Sequence, residues 1–455
     1  MIQMAAPGNG AAIDFFFWRR IIANGYYWIS QVGMMNRYIE LLTVSKWRRH
    51  RGLDNAAELM KRIGDPQKKL RCIHVAGTNG KGSAAAYIAS VLKAAGYKVG
   101  LNTSPYLQVF NERIKINGEN IPDEAIDRYF PEILDAAQQM DEMPNEFGMI
   151  TALAFTYFAE EHCDIAVVEV GMGGIDDATN VIEDPVCSVL MNIGYDHTSA
   201  LGNTLPEIAE KKAGIIKKGR PAVVYGQSSE VMDVFRSVCE KESAPYIPVD
   251  FGKLSLREYS IDGQVFDYGE LRELKTPLLG DHQLNNAAMA IEAIKCACNA
   301  GFKVDEGALR RGIENVFWPA RFEVVNRKPL MIIDGGHNGQ CAETTRKCIE
   351  KYLPGKKVTL ITGIMRDKDA KKVFDAISPV AEKYVCVSVP DLPRAMEPER
   401  LADELKAYSS NVTYFNDLRE GVELTMSRAS EDEVIVVFGS LYLAGAVRNI
   451  LKPVK

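Results

Sequence analysis

Between an apolar stretch, RCIHVA (71–76), and an alanine-rich one, SAAAYIASVLKAAG (83–96), the chain reads Gly77, Thr78, Asn79, Gly80, Lys81, Gly82, Ser83. Glycines in this order let the backbone curl until successive N–H groups face inward, and the start of the following helix adds partial positive charge. Such a loop suits a polyphosphate. Lys81 is placed to neutralise β and γ phosphates, and the Ser83 hydroxyl to ligate magnesium. The spacing is not GxxxxGK[ST], since Val75 stands at the first glycine position and Gly82 separates Lys81 from Ser83. The place of the loop, directly after an apolar strand and at a helix start, is what carries the expectation of ATP. The alternative is an ordinary glycine-rich turn.

The elements that must hold this loop follow from periodicity. RCIHVA reads as a buried strand and residues 83–96 as a helix stopped by Gly96. KVGLNTS follows as a strand, ITALAFTYFAEEH (150–162) as a helix, and DIAVVEVG (164–171) and PVCSVLMNIG (185–194) as further strands. This alternation predicts an α/β fold with a parallel sheet covered by helices on both faces. Ligands then sit beyond the carboxyl ends of the strands, so the loops after 76, 171 and 194 are expected to converge. Residues 252–277 suggest added hairpins, and 282–300 a helix. After VFWPARFEVVNRKP (316–329) the alternation restarts with LMIIDGG, KVTLITG, KYVCVSV and VIVVFGS, a second α/β domain. The boundaries expected are an N-terminal extension (1–34), a first domain (35–317), a linker (318–329) and a second domain (330–455).

Composition narrows the classes. At 455 residues the chain is about three typical domains long. Hydrophobic residues at 47% and charged residues at 25% fit a soluble globular enzyme. Lys plus Arg total 54 against 60 acids, a net charge of -6 that offers no basic face to nucleic acid. Nine cysteines, scattered and without a CxxC pair, point to a reducing cytoplasm rather than to disulfides or zinc. Residues 15–29 are aromatic-rich, but Arg19 and Arg20 interrupt them, so no membrane-spanning helix is expected, and the charges follow the apolar residues rather than precede them as in a secretory signal. The segment reads as an extension with Met34 or Met35 opening the domain, the alternative being an interfacial amphipathic anchor.

HVAGTNGKGS (74–83) followed by SPYLQVFNERIKINGENI (104–121) resembles the folylpolyglutamate synthase and dihydrofolate synthase family, within the Mur-ligase superfamily. The resemblance continues through DIAVVEVGMGGIDDATNVI (164–182), NIGYDHTSALG (192–202), IAEKKAGIIK (208–217), LLGDHQLNNAAMAIEA (278–293), WPARFEV (318–324), IIDGGHN (332–338), GIMRDKD (363–369) and VVFGSLYLAGAVR (436–448). It implies an N-terminal P-loop ATPase-like parallel-sheet domain and a smaller Rossmann-like C-terminal domain that binds glutamate. It implies ATP and Mg²⁺, with two metal sites, and small-molecule substrates handled by a monomer. Such enzymes join the carboxylate of a folate, or of dihydropteroate, to the amino group of glutamate through an acyl phosphate. A Mur-type ligase for another carboxylate and a nucleotide-binding paralogue without activity are the other readings.

Residue by residue, the resemblance makes Glu169 a magnesium ligand beside Ser83, and His197 of YDH a ligand of the second metal. Lys212 of EKKAGI matches a lysine that relatives carbamylate. Lys81, His197 and Lys212 form the catalytic set. Asn285, Arg321, Asp334 and His337 match nucleotide contacts, while Lys368 and Asp369 lie where the amino-acid substrate is expected. Ser104, Pro105, Tyr106, Phe147 and Thr151 match loops around the pterin and the γ-phosphate. Five positions depart from the family pattern: Tyr106 for His, Ile175 for Arg, Gly148 for Glu, and Gly336 and Gly339 in the DGAHNP motif. Replacing Lys81 with Ala is expected to abolish ATP turnover with little change in thermal unfolding, because this side chain acts on phosphate rather than in packing. Near-normal rates would remove the role.

Overall fold

The computed structural model describes residues 52–454 apart from 367 and 391. The expected extension (1–34) and the first residues of the expected domain 35–317 lie outside the described residues.

An eight-stranded sheet is built from β1 (Cys72–Ala76), β2 (Val99–Asn102), β3 (Ile114–Ile116), β4 (Glu119–Asn120), β5 (Ile165–Glu169), β6 (Cys187–Leu190), β7 (Ala222–Tyr225) and β8 (Tyr246–Val249). Its order is β4-β3-β2-β5-β1-β6-β7-β8, parallel except for β3 and β4 at one edge. Every residue of β1 and β5 is buried, as a strand covered on both faces requires. Ile73 and Val75 pack with helices Lys81–Ala94 and Asp281–Asn299 on one face. Cys72, one pleat away, packs with Gly52–Arg62, Asp123–Gln138 and Glu146–Glu160 on the other. His74 interrupts this apolar run; its imidazole is fully buried, meets Thr179 Oγ1 through Nε2 at 2.8 Å, and is driven down to about 3 by burial, hence neutral.

Residues 252–277 form the expected hairpins, a three-stranded antiparallel meander of β9 (Leu254–Ser260), β10 (Gly263–Tyr268) and β11 (Leu271–Thr276). The second sheet holds β12 (Glu323–Arg327), β13 (Leu330–Ile333), β14 (Lys357–Thr362), β15 (Lys383–Val387), β16 (Val412–Phe415) and β17 (Glu433–Phe438), in the order β12-β13-β17-β14-β15-β16. β12 corrects the domain boundary. Residues 323–327, expected within a linker, pair antiparallel with β13, and Pro329 sits in the turn of that hairpin, its carbonyl accepting from Asn326 Nδ2 at 2.7 Å. Proline marks an edge or a turn of a sheet as readily as a linker, which is why it misplaces the boundary here.

Helix Glu306–Glu314 crosses helix Lys81–Ala94 at Gly312, where an added Cβ would lie 2.3 Å from Val91 Cα. Backbone cannot yield as a side chain can. Gly312→Ala is therefore expected to destabilise the first domain by about 1–3 kcal/mol, read as a lower midpoint in calorimetric unfolding. An unchanged midpoint would contradict this contact.

Candidate active site

The glycine-rich loop leaves β1 and enters helix Lys81–Ala94 through Gly80, which has a left-handed φ of 85°. A Cβ at Gly80 would stand 2.7 Å from Asn286 Oδ1, and one at Gly77 2.5 Å from Met191 Cβ, so neighbouring elements approach the bare backbone closely. Thr78 N donates to Asn192 O at 2.8 Å, and Thr78 Oγ1 meets Gly194 N and O at 3.1 Å, tying the loops after β1 and β6 together. Ser83 is buried in the first turn of the helix, with Gln283 Nε2 3.5 Å from its hydroxyl.

Charge crowds around this loop. Lys81 Nζ lies 3.8 Å from Glu169 Oε1, and Glu169 Oε2 accepts from Ser104 N at 3.2 Å. Burial raises the Glu169 carboxyl above its ordinary range, and the Lys81 charge works against that. Lys212, buried and donating to Gly77 O at 2.9 Å, is brought down to about 7 by burial first and by Lys81 second. From the second domain, Asp334 accepts from Phe322 N at 2.9 Å and Gly336 N at 2.7 Å. Burial raises its carboxyl, and the charge of Arg321 opposes that rise. Lys368 Nζ reaches across to Asp196 Oδ1 at 3.2 Å. Burial would raise the Asp196 carboxyl, but the neighbouring His337, His197 and Lys368 outweigh it and hold the group well below the usual carboxylate range.

Two cavities meet here. One, of about 490 Å³, lies between the domains and is lined by Thr78 to Ser83, Ser104, Pro105, Glu169, His197, Arg321, Asp334, His337 and Lys368. The second, of about 940 Å³, is lined by Arg113, Phe147, Ile175, Asp177, Leu201 and Lys211, and shares Ser104, Pro105, Gly171 and Tyr442 with the first. A molecule in the larger cavity can thus present one end to the glycine-rich loop.

Six expected residues, Gly77, Tyr106, Thr151, Lys212, Asn285 and Asp369, line neither cavity. Asn285 does not line the cleft but donates to the Tyr225 hydroxyl at 2.8 Å; its neighbours Gln283 and Asn286 line it instead, because they share one helix face. Thr151 is buried and spends its hydroxyl on Phe147 O at 2.7 Å. Tyr106 packs under Arg113, 5.3 Å from ring centroid to guanidinium carbon. Asp369 caps helix Ala370–Ile377 through Lys372 N at 3.1 Å, with its side chain about half exposed. Asp196, Gln340 and Tyr442 line the cleft without having been expected. Asp196 was within reach of the sequence, next to His197 in YDH, whereas Gln340 becomes visible only once the domains are placed.

Among the described residues no group of three or more His, Cys, Asp or Glu side chains could hold a metal by itself. The buried Glu169 carboxylate and the Ser83 hydroxyl are donors of the hard oxygen type that suits Mg²⁺, with half-exposed His197 lining the same space.

Two α/β domains closing on a phosphate-binding loop define the Mur ligase class. The Mur ligase middle domain matches residues 75–294, and the Mur ligase glutamate ligase domain residues 320–441. The chain is 35% identical over 412 residues to the dihydrofolate synthase/folylpolyglutamate synthase of Bacillus subtilis, covering 88% of this chain and 95% of that protein. It is 38% identical over 410 residues to the folylpolyglutamate synthase of Lacticaseibacillus casei, covering 86% and 92%. The solved structure of Mycobacterium tuberculosis folylpolyglutamate synthase complexed with ADP superposes with a TM-score of 0.85 at 30% identity, covering 92% of this chain and 98% of that one. The chain belongs to the folylpolyglutamate synthase/dihydrofolate synthase family.

The Lys212 environment makes a testable claim about pH. Its folded pKa is below the unfolded value, so the unfolded state holds more protons between about pH 7 and 10.5, and stability rises with pH across that window. The stability difference between wild type and Lys212→Met is therefore expected to shift in favour of wild type as pH rises from 7 to 10, measured by denaturant unfolding. A difference that does not change with pH would mean Lys212 keeps its ordinary pKa.

Proposed function

We propose that the protein is an ATP-dependent ligase that adds L-glutamate to the carboxylate of a folate, releasing ADP and phosphate. The observation that supports this best is the junction of the two cavities at Ser104 and Pro105, beside Lys81 and Glu169 and facing Lys368 of the second domain. A carboxylate is a poor electrophile. In the first step one of its oxygens attacks the γ-phosphorus of ATP, the bond to the β,γ-bridging oxygen breaks, and an acyl phosphate and ADP result. In the second, the amine of glutamate attacks the acyl carbon, loses a proton, and expels phosphate as the amide forms.

The chain's own groups act on the charge of these steps. Lys81, at the helix N-terminus, is placed to neutralise the transferred phosphoryl group, and Arg321 approaches from the other domain. Glu169 and Ser83 would hold Mg²⁺, and His197 with a carbamylated Lys212 a second ion, and the metal would supply neutralisation of phosphate charge. A pKa of about 7 leaves much of the Lys212 amine neutral and able to take up CO₂ near neutral pH. Arg321, Asp334 and His337 would contact the nucleotide, and Lys368 the incoming amino acid. Ile175 and Gly148 replace an arginine and a glutamate of the family pattern, so rate or substrate preference is where this chain would differ. A second reaction, joining dihydropteroate to glutamate, is favoured by the double name of the Bacillus subtilis relative. The nine free thiols support a cytoplasmic setting.

The test is ligation of radiolabelled glutamate with ATP, comparing dihydropteroate, tetrahydrofolate and its one-carbon forms. Continuing ADP production is expected only when both the pterin acid and glutamate are present, with at most about one ADP per enzyme when glutamate is left out. Nucleotide binding without ADP formation would instead identify a paralogue that has lost ligation.

A further inference from the structure

Several side-chain contacts join the two domains, and they differ in burial. Lys351 meets Asp281 at 2.5 Å, but the carboxylate is 76% exposed; Arg327 and Asp262 pair with both partners more than 60% exposed. Pairs of this kind contribute little. The contact of Asp196 with Lys368 at 3.2 Å is different, its side chains being only 16% and 20% exposed, inside the cavity that also holds Lys81 and Glu169. His337, also from the second domain, brings Nε2 to 3.9 Å of the other Asp196 oxygen.

The oxygen that accepts from Lys368 also accepts the backbone N–H of His197 at 2.9 Å. His197 has φ 50°, a left-handed conformation uncommon for a residue with a Cβ, which persists only when its surroundings hold it. One carboxylate therefore connects a cation of the second domain to the backbone that sets where the His197 imidazole points. Lys368 and the N–H of His197 share that one oxygen, so removing the cation takes away one of the contacts that fix the carboxylate.

We propose that Asp196 is a positioning residue that makes the presentation of His197 depend on approach of the second domain, so that the second metal position is complete only in the closed molecule. This rests on the ligase reading above and extends it. ATP then meets a full set of charges only after the domain carrying Lys368 has arrived. Premature hydrolysis is suppressed by geometry.

The experiment uses the full chain and reads metal binding rather than turnover. Mn²⁺ is titrated by electron paramagnetic resonance in the presence of AMP-PCP, with AMP-PCP affinity measured on the same samples. Asp196→Asn keeps an oxygen for His197 N but removes the charge that holds Lys368; Lys368→Met removes that cation from the opposite domain. Each is expected to weaken Mn²⁺ binding by about tenfold, the order seen when groups that orient a metal ligand are removed. The double variant is expected to be no weaker than either single one, since both break the same contact. A merely structural role would lower the unfolding midpoint and leave the Mn²⁺ isotherm where it was. If Asp196→Asn fails to fold, Lys368→Met carries the comparison. Unchanged Mn²⁺ affinity in a folded single variant, or losses that multiply in the double one, would overturn the proposal while leaving the ligase reading intact. A wild-type chain that binds no AMP-PCP would overturn both.

Discussion

Bringing a polyphosphate against a carboxylate sets the governing constraint, because two anions must meet with water largely excluded. Cations have to be buried in advance without being cancelled by their neighbours. Lys81 has Glu169 at 3.8 Å, too far for a tight ion pair, and its other contact is the Thr78 carbonyl at 3.4 Å. Lys212 is pushed toward neutrality by burial and by Lys81, so the interior keeps no more positive charge than it can support. Such tension is tolerable only on a rigid frame, and the frame is visible in the wholly buried β1 and β5.

That frame places groups from distant parts of the chain within one cleft. β1, β5 and β6 lie side by side, so the loops that follow them open at the same sheet end, and Thr78 stitches the first loop to the third. The second domain completes the wall from the ends of β13, β14 and β17, which contribute His337, Lys368 and Tyr442. Helix Gly339–Tyr352 is fastened at both ends: Gln340 bonds Asn79 at 2.6 Å and Asn192 at 3.0 Å, while the Tyr352 hydroxyl accepts from Gly280 N at 3.0 Å. Amides at the cleft and an aromatic hydroxyl behind it are among the contacts that join the two domains.

Much of this was legible in the residue order. Buried parallel strands are continuous apolar runs, so RCIHVA, DIAVVEVG and PVCSVLMNIG disclosed the sheet, and the strand–loop–helix context disclosed the phosphate loop despite its irregular spacing. Strand β12 was not legible, because two prolines around EVVNR look the same whether they flank a linker or an edge hairpin. Asn285 and Asn286 are adjacent and chemically identical, so a motif cannot say which faces the cleft; helix register decides. Thr151 turns its hydroxyl back onto the preceding turn, as a helical threonine can, an orientation that a motif does not disclose. Asp196 shows the limit of reading loops one at a time, because its partners come from three segments.

The wall common to both cavities has a practical implication for chemistry. Among the described residues, Ser104, Pro105, Gly171 and Tyr442 are the wall shared by the space beside the glycine-rich loop and the larger chamber. One elongated compound, with a phosphate mimic at its head and a flat heteroaromatic tail, could thread that gateway and occupy both chambers at once. Its affinity would draw on each, and Ile175 would offer its tail a hydrocarbon surface.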